Sequence, residues 1–394
     1  MIRHLLILLM ALLLPAAAGG GSVAHAIPAG LNPSARVASI SYACCEHPRD
    51  LGTVRGGTAC GGVGEADGSR TTTRSGLKSI IPPASADPTA SGPEIASAVR
   101  YEAVPFGDFE NWAVRNIRES AILGGETKTI YNPGPAEIIN RNEAYDYSKT
   151  PWTSSNAYAV IAGITKTSCS VSPQDGPDGK CARLVNCFAE CKVAGIINIK
   201  VLVAGTLLWG RMKEPVSSIN DPYASLDWGI PFTKRPSALI LDYKATIPDS
   251  GTLTKGTTFS TKTFPGHDPA EVVLLLQNRW EDEQGNIHAK RVGTAVYRIR
   301  KSTGGWVKGK RIPVIYGDAR KSEAYRPYMD LLGASRPVTA TNSRGRSRVI
   351  QEEWGEADSP VTHAILIISS GSSGAFVGEP GNELLIDKLR LEFI

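Results

Sequence analysis

The most constraining feature of this chain is a series of short apolar runs that begins after Tyr101, each ended by glycine, proline, asparagine or aspartate. No long segment among these runs has a convincing helical period. Short runs with turn residues between them are typical of an all-β sandwich or barrel. We therefore predict an all-β domain over residues 101–394. The best runs are 156–164, 194–208, 238–247, 272–277, 292–299, 311–316, 362–369 and 384–393.

Two of the runs, 272–276 and 365–368, are apolar at every position instead of at alternate positions. Successive side chains of a strand point to opposite faces, so such a strand must be covered on both faces. The sequence thus predicts a thick or elaborated sandwich. The domain is long for one small sandwich, so we expect either one sandwich with long loops or two sandwiches side by side.

The N-terminal residues 1–26 indicate export, because a short basic start leads into an apolar run at 5–14 and an Ala-His-Ala stretch at 24–26. This is the pattern of a secretory signal peptide with an Ala-x-Ala cleavage site. The apolar run is about half as long as a membrane-spanning helix, so no span is expected after cleavage. Residues 27–100 are rich in Gly, Ala, Ser, Thr and Pro and predict a low-complexity leader or linker.

The charge balance argues against a nucleic-acid partner. The chain has 43 Lys and Arg against 38 Asp and Glu, and a small, unclustered excess is not a nucleic-acid footprint. The basic stretch 344–348 is followed at once by acidic residues, which favours a solvated loop.

The cysteines indicate disulfides or buried thiols instead of a metal site. An exported chain lies in an oxidising compartment, where one or more disulfides are expected, although the pairing cannot be read from sequence. The close group Cys169, Cys181, Cys187 and Cys191 has no histidine among its members. It also lacks the paired spacing of a zinc ribbon.

Two acidic residues near the ends of the domain have apolar neighbours. Asp387 alternates with leucines in the last run and is thus predicted on the apolar face. Glu110 lies between Phe109 and Trp112 at the start. First and last strands of a sandwich commonly pair, and two carboxylates meeting there repel unless a cation joins them. Calcium is the natural ion, so Glu110 and Asp387 are predicted to hold a structural calcium. An arginine, backbone amides or solvation are the alternatives for Asp387.

A Phe-Glu pair followed by Trp at the start, with a buried Asp on the final strand, resembles jelly-roll carbohydrate-binding modules, whose structural calcium is held by those acids. More closely, the chain resembles the putative carbohydrate-metabolism domain family of exported bacterial proteins. The segments that carry this resemblance are 109–112, 179–184, 204–207, 229–236, 241–244, 369–374 and 385–387. The resemblance implies a jelly-roll, galactose-binding-like β-sandwich associated with glycan use. It also implies a secreted, periplasmic or cell-surface location in a Gram-negative bacterium.

No catalytic residue is predicted. A glycosidase needs two facing carboxylates, one of them kept protonated, and no such pair with a fixed spacing is evident. The strongest enzyme candidate is the Glu-rich stretch 352–356, which we interpret as an exposed loop. The serine-rich turn at 371–374 lacks the Gly-x-Ser-x-Gly spacing of a nucleophilic serine.

Sugar binding usually depends on aromatic rings that stack on the apolar face of a sugar, with polar side chains around them. Trp209 and Trp228, near Arg235 and Tyr243 in sequence, are the predicted carbohydrate-binding residues. Packing under a loop is the alternative for each of them. The tryptophans at run ends or in loops are Trp152, Trp209, Trp228, Trp280, Trp306 and Trp354.

The leading hypothesis is an exported, non-catalytic protein that binds or handles a polysaccharide or oligosaccharide. One alternative is a structural or adhesive cell-envelope protein whose sandwich contacts other envelope proteins. A second alternative is a divergent glycan-active hydrolase.

Overall fold

A computed structural model describes residues 98–394, apart from residue 162 and residues 194–196, 218–222, 257–259 and 334–336. The predicted signal peptide and nearly all of the predicted leader lie outside the described residues, so both domain limits stay predictions. Within this part of the chain there is no helix with the length and apolar character that crossing a bilayer requires.

The described residues are built from strands and four short 3-10 helices, without an α-helix, which confirms the all-β prediction. The strands are β1 (Arg100–Ala103), β2 (Trp112–Arg118), β3 (Thr127–Pro133), β4 (Glu137–Ile139), β5 (Trp152–Ser154), β6 (Ala157–Ile161), β7 (Ile164–Ser168), β8 (Val171–Gly176), β9 (Gly179–Val185), β10 (Cys187–Val193), β11 (Ile197–Val203), β12 (Thr206–Met212), β13 (Leu226–Trp228), β14 (Ile230–Pro231), β15 (Ala238–Thr246), β16 (Thr252–Gly256), β17 (Thr261–Pro265), β18 (Ala270–Glu281), β19 (Ile287–Ile299), β20 (Val307–Pro313), β21 (Ile315–Tyr316), β22 (Thr339–Thr341), β23 (Ser347–Trp354), β24 (His363–Ser369), β25 (Val377–Gly378) and β26 (Glu383–Phe393). The 3-10 helices are η1 (Ala121–Leu123), η2 (Tyr147–Lys149), η3 (Ala319–Lys321) and η4 (Pro327–Met329).

Two large sheets form the sandwich. One has six strands in the order β20-β15-β26-β9-β8, with β1 also paired to β26. The other has ten strands in the order β13-β12-β24-β18-β19-β23-β22, joined by β5, β14 and β21. The remaining strands pair in smaller sheets, β3-β2-β4, β17-β16-β25, β10-β11 and β6-β7. Side chains from both large sheets meet in one hydrophobic cluster, the central core, which includes Leu239, Leu274, Leu366 and Ile386.

The ten-stranded sheet is buried on both of its faces at its centre, in the first part of β18 and in β24. In β18, Val272 and Leu274 face the central core, whereas Val273 and Leu275 belong to a second cluster on the other side. We call this second cluster the outer layer; it includes residues of β13, β22 and η4. Strand β24 alternates in the same way. The apolar runs 272–276 and 365–368 are therefore doubly covered strands, as predicted.

The opening and closing segments of the domain meet. Strand β1 pairs with the end of β26, from Arg100 opposite Phe393 to Ala103 opposite Arg390. The contact continues beyond β1, because the Leu389 amide donates to the Gly107 carbonyl over 2.9 Å. Phe109 is fully buried in the central core. Glu110 follows it in irregular chain between β1 and β2 and is exposed.

The predicted face of Asp387 is wrong. Leu384 and Ile386 face the central core, as do Leu389 and Leu391, so the alternation slips between the two pairs. Lys388 has a φ of 53°, and the pairing of β26 with β15 shifts register at this point. Such an extra residue is a β-bulge. It turns Asp387 to the sheet face opposite the central core.

The cysteines are not all in the same state. Cys187 is disulfide-bonded, whereas Cys181 and Cys191 are thiols. Burial raises the pKa of the Cys181 thiol to about 12, and nearby acids including Asp387 add to the effect. That thiol is therefore unreactive near neutral pH.

Because β18 is covered on both faces, truncation of its side chains should leave cavities that the sheet cannot close. We expect Leu274→Ala, at a fully buried position, to lower the free energy of unfolding by about 2–5 kcal/mol. Urea unfolding followed by fluorescence measures this change. Val349→Ala, at a side chain that is 55% exposed, is the control and should change stability by less than about 0.5 kcal/mol. Equal effects of the two variants would contradict the assignment.

Candidate functional site

An open cleft of about 550 Å³ lies between the segment around η2 and the paired strands β12 and β13. It combines exposed cationic and anionic side chains with two tyrosines, Tyr145 and Tyr147, that are only 6% and 9% exposed. Its lining residues are Tyr145, Asp146, Tyr147, Ser148, Arg211, Met212, Lys213, Asp227 and Thr341.

The aromatic wall of the cleft is held from behind by a buried ion pair. The Arg115 guanidinium contacts the Glu214 carboxylate at 2.8 Å, and their side chains are 3% and 0% exposed. Glu214 also accepts a hydrogen bond from the Tyr145 amide at 2.9 Å. The rings of Tyr145 and Tyr147 pack edge to face with centroids 5.0 Å apart. This wall is therefore fixed by charge-assisted contacts before any ligand arrives.

Asp146 stands between the two tyrosines and caps the 3-10 helix η2. Its carboxylate accepts from the Ser148 amide at 3.0 Å. The Ser148 hydroxyl and amide hold the pKa of Asp146 below its ordinary value. Asp146 is thus ionised near neutral pH and does not have the raised pKa that a general acid requires.

The opposite wall is formed where β12 pairs with β13. Arg211 lies directly opposite Asp227, and the Asp227 carboxylate accepts from the Thr341 amide at 2.8 Å. Gly210 makes this approach possible, because a Cβ there would lie 2.3 Å from the Asp227 carbonyl oxygen. The side chains of Arg211 and Lys213 are exposed. The wall offers hydrogen-bond donors from one strand and a carboxylate held in place on the next.

The predicted ring platform is not found. Trp209, Trp228 and Tyr243 are only 2%, 3% and 4% exposed, so none presents a ring to solvent. Trp209 packs against Trp152 and Phe232 with centroids 6.1 and 5.9 Å away. Both it and Tyr243 belong to the central core, whereas Trp228 belongs to the outer layer. Their placement at run ends did not expose them, because each is covered by a part of the chain distant in sequence.

Arg235 is exposed but engaged within the protein. Its guanidinium lies over the Tyr316 ring, 4.5 Å from the centroid, and donates to the Ser359 carbonyl at 2.7 Å and to the Ala357 carbonyl. It does not join the other three predicted residues in one site. Its observed contacts fasten the loop at 357–359.

The Glu-rich stretch is not the exposed loop that we predicted, since its first part belongs to β23. The Glu352 and Arg291 side chains are both 0% exposed and form an ion pair. Glu352 also accepts from Gln277 at 2.6 Å and from the Leu332 amide at 2.9 Å. Glu353 and Glu356 are exposed. Glu352 is therefore a structural carboxylate with its hydrogen-bonding capacity in use.

Glu352→Gln should leave the Arg291 guanidinium buried without its counter-charge. We expect a loss of about 3–5 kcal/mol in the free energy of unfolding, the usual cost of breaking a buried pair. Glu353→Gln, at a side chain that is 62% exposed, is the matched control and should be nearly neutral. Chemical denaturation measures both variants. A Glu352→Gln protein with full stability that has lost a hydrolytic activity would support the hydrolase alternative instead.

Asp387 lies among other carboxylates on the outer side of the six-stranded sheet. Its cross-strand partner is Asp242, and its own carboxylate accepts from the Lys388 amide at 2.7 Å. Burial raises the pKa of Asp387 to about 6, with smaller raising effects from Asp242 and Glu110 against the lowering effect of Lys388. Glu110 accepts from the Lys180 amide at 2.9 Å. Over the described residues, no group of three or more His, Cys, Asp or Glu side chains could hold a metal ion. Calcium at Glu110 and Asp387 stays a prediction.

Because the pKa of Asp387 is raised, ionisation of its carboxyl group destabilises the folded protein. The folded protein binds this proton more tightly than the unfolded chain does, so the stabilisation is present at low pH and is lost as the pH rises through about 6. We expect Asp387→Asn to be more stable than the unaltered protein at about pH 7.5, and this advantage should shrink toward about pH 4. Thermal unfolding in a chelator measures the difference. If calcium binds Asp387, adding the ion reverses the order at about pH 7.5, and Asp387→Asn becomes the less stable protein.

The cleft residues were not found by sequence reasoning. The only local signal is Tyr145-Asp146-Tyr147, an acid between two aromatic residues. The facing wall comes from residues 211–213 and 227, which only strand pairing brings opposite.

Residues 128–299 match the model of the family described as a putative carbohydrate metabolism domain. The predicted resemblance is thereby confirmed for this segment. Every residue that lines the cleft lies inside the matched segment except Thr341.

A search of curated proteins finds no match. Two solved structures, both described as putative glycoside hydrolases, are similar at a low level. The structure from Bacteroides thetaiotaomicron is 17% identical over 68% of this chain and 76% of its own, with a TM-score of 0.37. The one from Bacteroides vulgatus is 14% identical over 74% of this chain and 94% of its own, with a TM-score of 0.36. Similarity at this level supports no inference about the activity of this chain.

Proposed function

We propose that this protein is a non-catalytic glycan-binding protein. The cleft between the η2 segment and strands β12 and β13 holds the glycan. The observation that carries the proposal is the meeting of charged and hydroxyl side chains from two walls, above two buried tyrosines, in a cleft that lies almost entirely in the family-matched segment. Sugars present many hydroxyl groups, and charged and hydroxyl side chains around an open cleft can hydrogen-bond them.

The charges of the cleft favour a neutral or weakly charged glycan. Arg211 and Lys213 stand against Asp146 and Asp227, so neither sign dominates. Arginine and carboxylate side chains form the strong, directional hydrogen bonds that orient sugar hydroxyls. The cleft is open, which suits a chain that enters and leaves along it.

Binding is favoured over hydrolysis by the state of two acids, Asp146 in the cleft and Glu352 of the Glu-rich stretch. Asp146 has a lowered pKa, and Glu352 is locked in a buried ion pair. Neither can donate a proton to a leaving sugar oxygen in the way a glycosidase acid does. We also propose export to the periplasm or cell surface, where envelope proteins are further candidate partners.

The test is a binding panel of purified residues 98–394 against plant, fungal and bacterial polysaccharides, by affinity electrophoresis and calorimetry. Arg211→Gln removes a charged donor from the cleft and should weaken binding about tenfold. Arg141→Gln is the matched control, because that side chain is 76% exposed and does not line the cleft.

Three results would contradict the proposal. One is release of reducing ends from any polysaccharide of the panel, which would favour the hydrolase alternative. Another is equal affinity of the two arginine variants. The third is a stoichiometric envelope-protein partner in a pull-down together with a silent glycan panel, which would favour the structural or adhesive alternative.

A further inference from the structure

Trp280 differs from the other tryptophans in its exposure. All seven tryptophans of the chain lie in the described residues. Trp280 is 42% exposed, whereas the other six are buried or only partly exposed. Strand β18 pairs with β24 only as far as Gln277 opposite His363. Beyond that position β18 continues with β19 as its only neighbour among the paired strands. The Trp280 ring therefore lies on the part of β18 that extends beyond its pairing with β24.

The orientation of the Trp280 ring is fixed. The indole stacks on the imidazole of its cross-strand partner His288, with centroids 5.4 Å apart and planes inclined by 16°. His288 Nε2 lies 2.9 Å from the Asp282 carboxylate. The same carboxylate accepts from the Asn286 amide at 2.8 Å. One face of the indole is thus covered by a tethered imidazole, and its exposure belongs to the other face and the edges.

A second contact holds the tip of the hairpin that β18 and β19 form. The Glu281 carboxylate accepts from the Ser343 amide at 2.7 Å and from the Ser343 hydroxyl at 2.8 Å. These bonds tie β18 to the turn after β22. The exposed indole is therefore presented by a braced hairpin, so little ordering is needed when a ligand stacks on it.

Polar side chains lie beside the ring on the same face of the sheet. Strand register places Gln351 next to His288. Two positions further along their strands, Asn278, Lys290 and Glu353 form one row across the sheet. Side chains two positions apart on a strand share a face. Lys290 and Glu353 approach to 3.9 Å, and Asp282 lies against His288. Lys290 and Glu353 thus offset each other's charge, while Asn278 and Gln351 supply neutral amide groups.

We propose that Trp280 is the platform of a second glycan contact, on which the apolar C–H face of a neutral pyranose stacks. Asn278 and Gln351 are placed to hydrogen-bond its hydroxyls. This inference rests on the proposed glycan-binding function but concerns a separate surface. A flat ring with amides and the Lys290–Glu353 pair beside it fits an uncharged sugar better than an acidic one.

A protein partner fits this face less well. Val349 of β23, at 55% exposure, is the other large apolar side chain exposed near Trp280 on this part of the sheet. One indole and one valine make a small apolar area among charged and amide groups. A stable protein interface needs a larger, well-packed apolar centre.

The experiment titrates the protein with linear oligosaccharides of glucose, mannose, galactose and xylose while tryptophan emission and calorimetric heat are recorded. An exposed indole should change its emission when a sugar covers it. Trp280→Ala should remove that change and weaken binding about tenfold. Trp280→Phe keeps an aromatic ring and should retain most of the affinity. Phe264→Ala is the control, because Phe264 is 39% exposed on β17.

The outcomes separate this inference from the proposed function. If Trp280→Ala binds as the unaltered protein does while Arg211→Gln is weakened, the platform is overturned and the cleft stands. If Trp280→Ala is weakened while Arg211→Gln is not, the platform is supported and the cleft is not. Absence of any emission change with the whole panel overturns the platform, and so does capture of a protein through Trp280 with no sugar bound.

Discussion

Burial of the centre of the ten-stranded sheet on both faces is the constraint on which the rest of the structure depends. One set of alternate side chains in β18 and β24 completes the central core, and the other set is closed over by the outer layer. A charge inside a sheet covered in this way is costly unless it is paired. The charged side chains that enter it are consequently paired, as Arg291 and Glu352 are.

The same constraint determines where ligands can reach the sheet. Its faces are closed at the centre, so the accessible surfaces lie toward the edges, where strands end or lose a neighbour. The cleft forms at the end of β12, where β13 and the segment around η2 meet. The Trp280 surface forms where β18 extends past its pairing with β24. The Trp280 surface follows from unequal strand lengths, whereas the cleft also requires the irregular segment around η2.

The sequence predicted where strands lie, but it did not predict reliably which side chains of a strand face the core. Doubly apolar runs could be read directly, because the period of a strand makes its two faces visible in the chain. The position of Asp387 could not, since one residue in a left-handed conformation, Lys388, reverses the alternation. Bulges of this kind depend on the neighbouring strand and leave no local pattern.

The prediction that Trp209 and Trp228 present their rings to a sugar was wrong for a related reason. Trp209 and Trp280 are both near the end of an apolar run, yet one is buried and the other exposed. What separates them is whether another part of the chain covers the strand end, which is a long-range property. The cleft could not be predicted locally for the same reason, because Asp227 and Tyr145 are far apart in sequence.

The hydrogen bond from the Leu332 amide to Glu352 has a consequence for how the molecule opens. It joins the segment after η4, which packs in the outer layer, to a carboxylate inside the sheet. Lifting that segment away would strip one of the partners from a buried ion pair, at a cost close to that of disrupting the sheet itself. The outer layer and the sheet should therefore exchange their amide protons as one cooperative unit, slowly and together, with no separate opening of the cover.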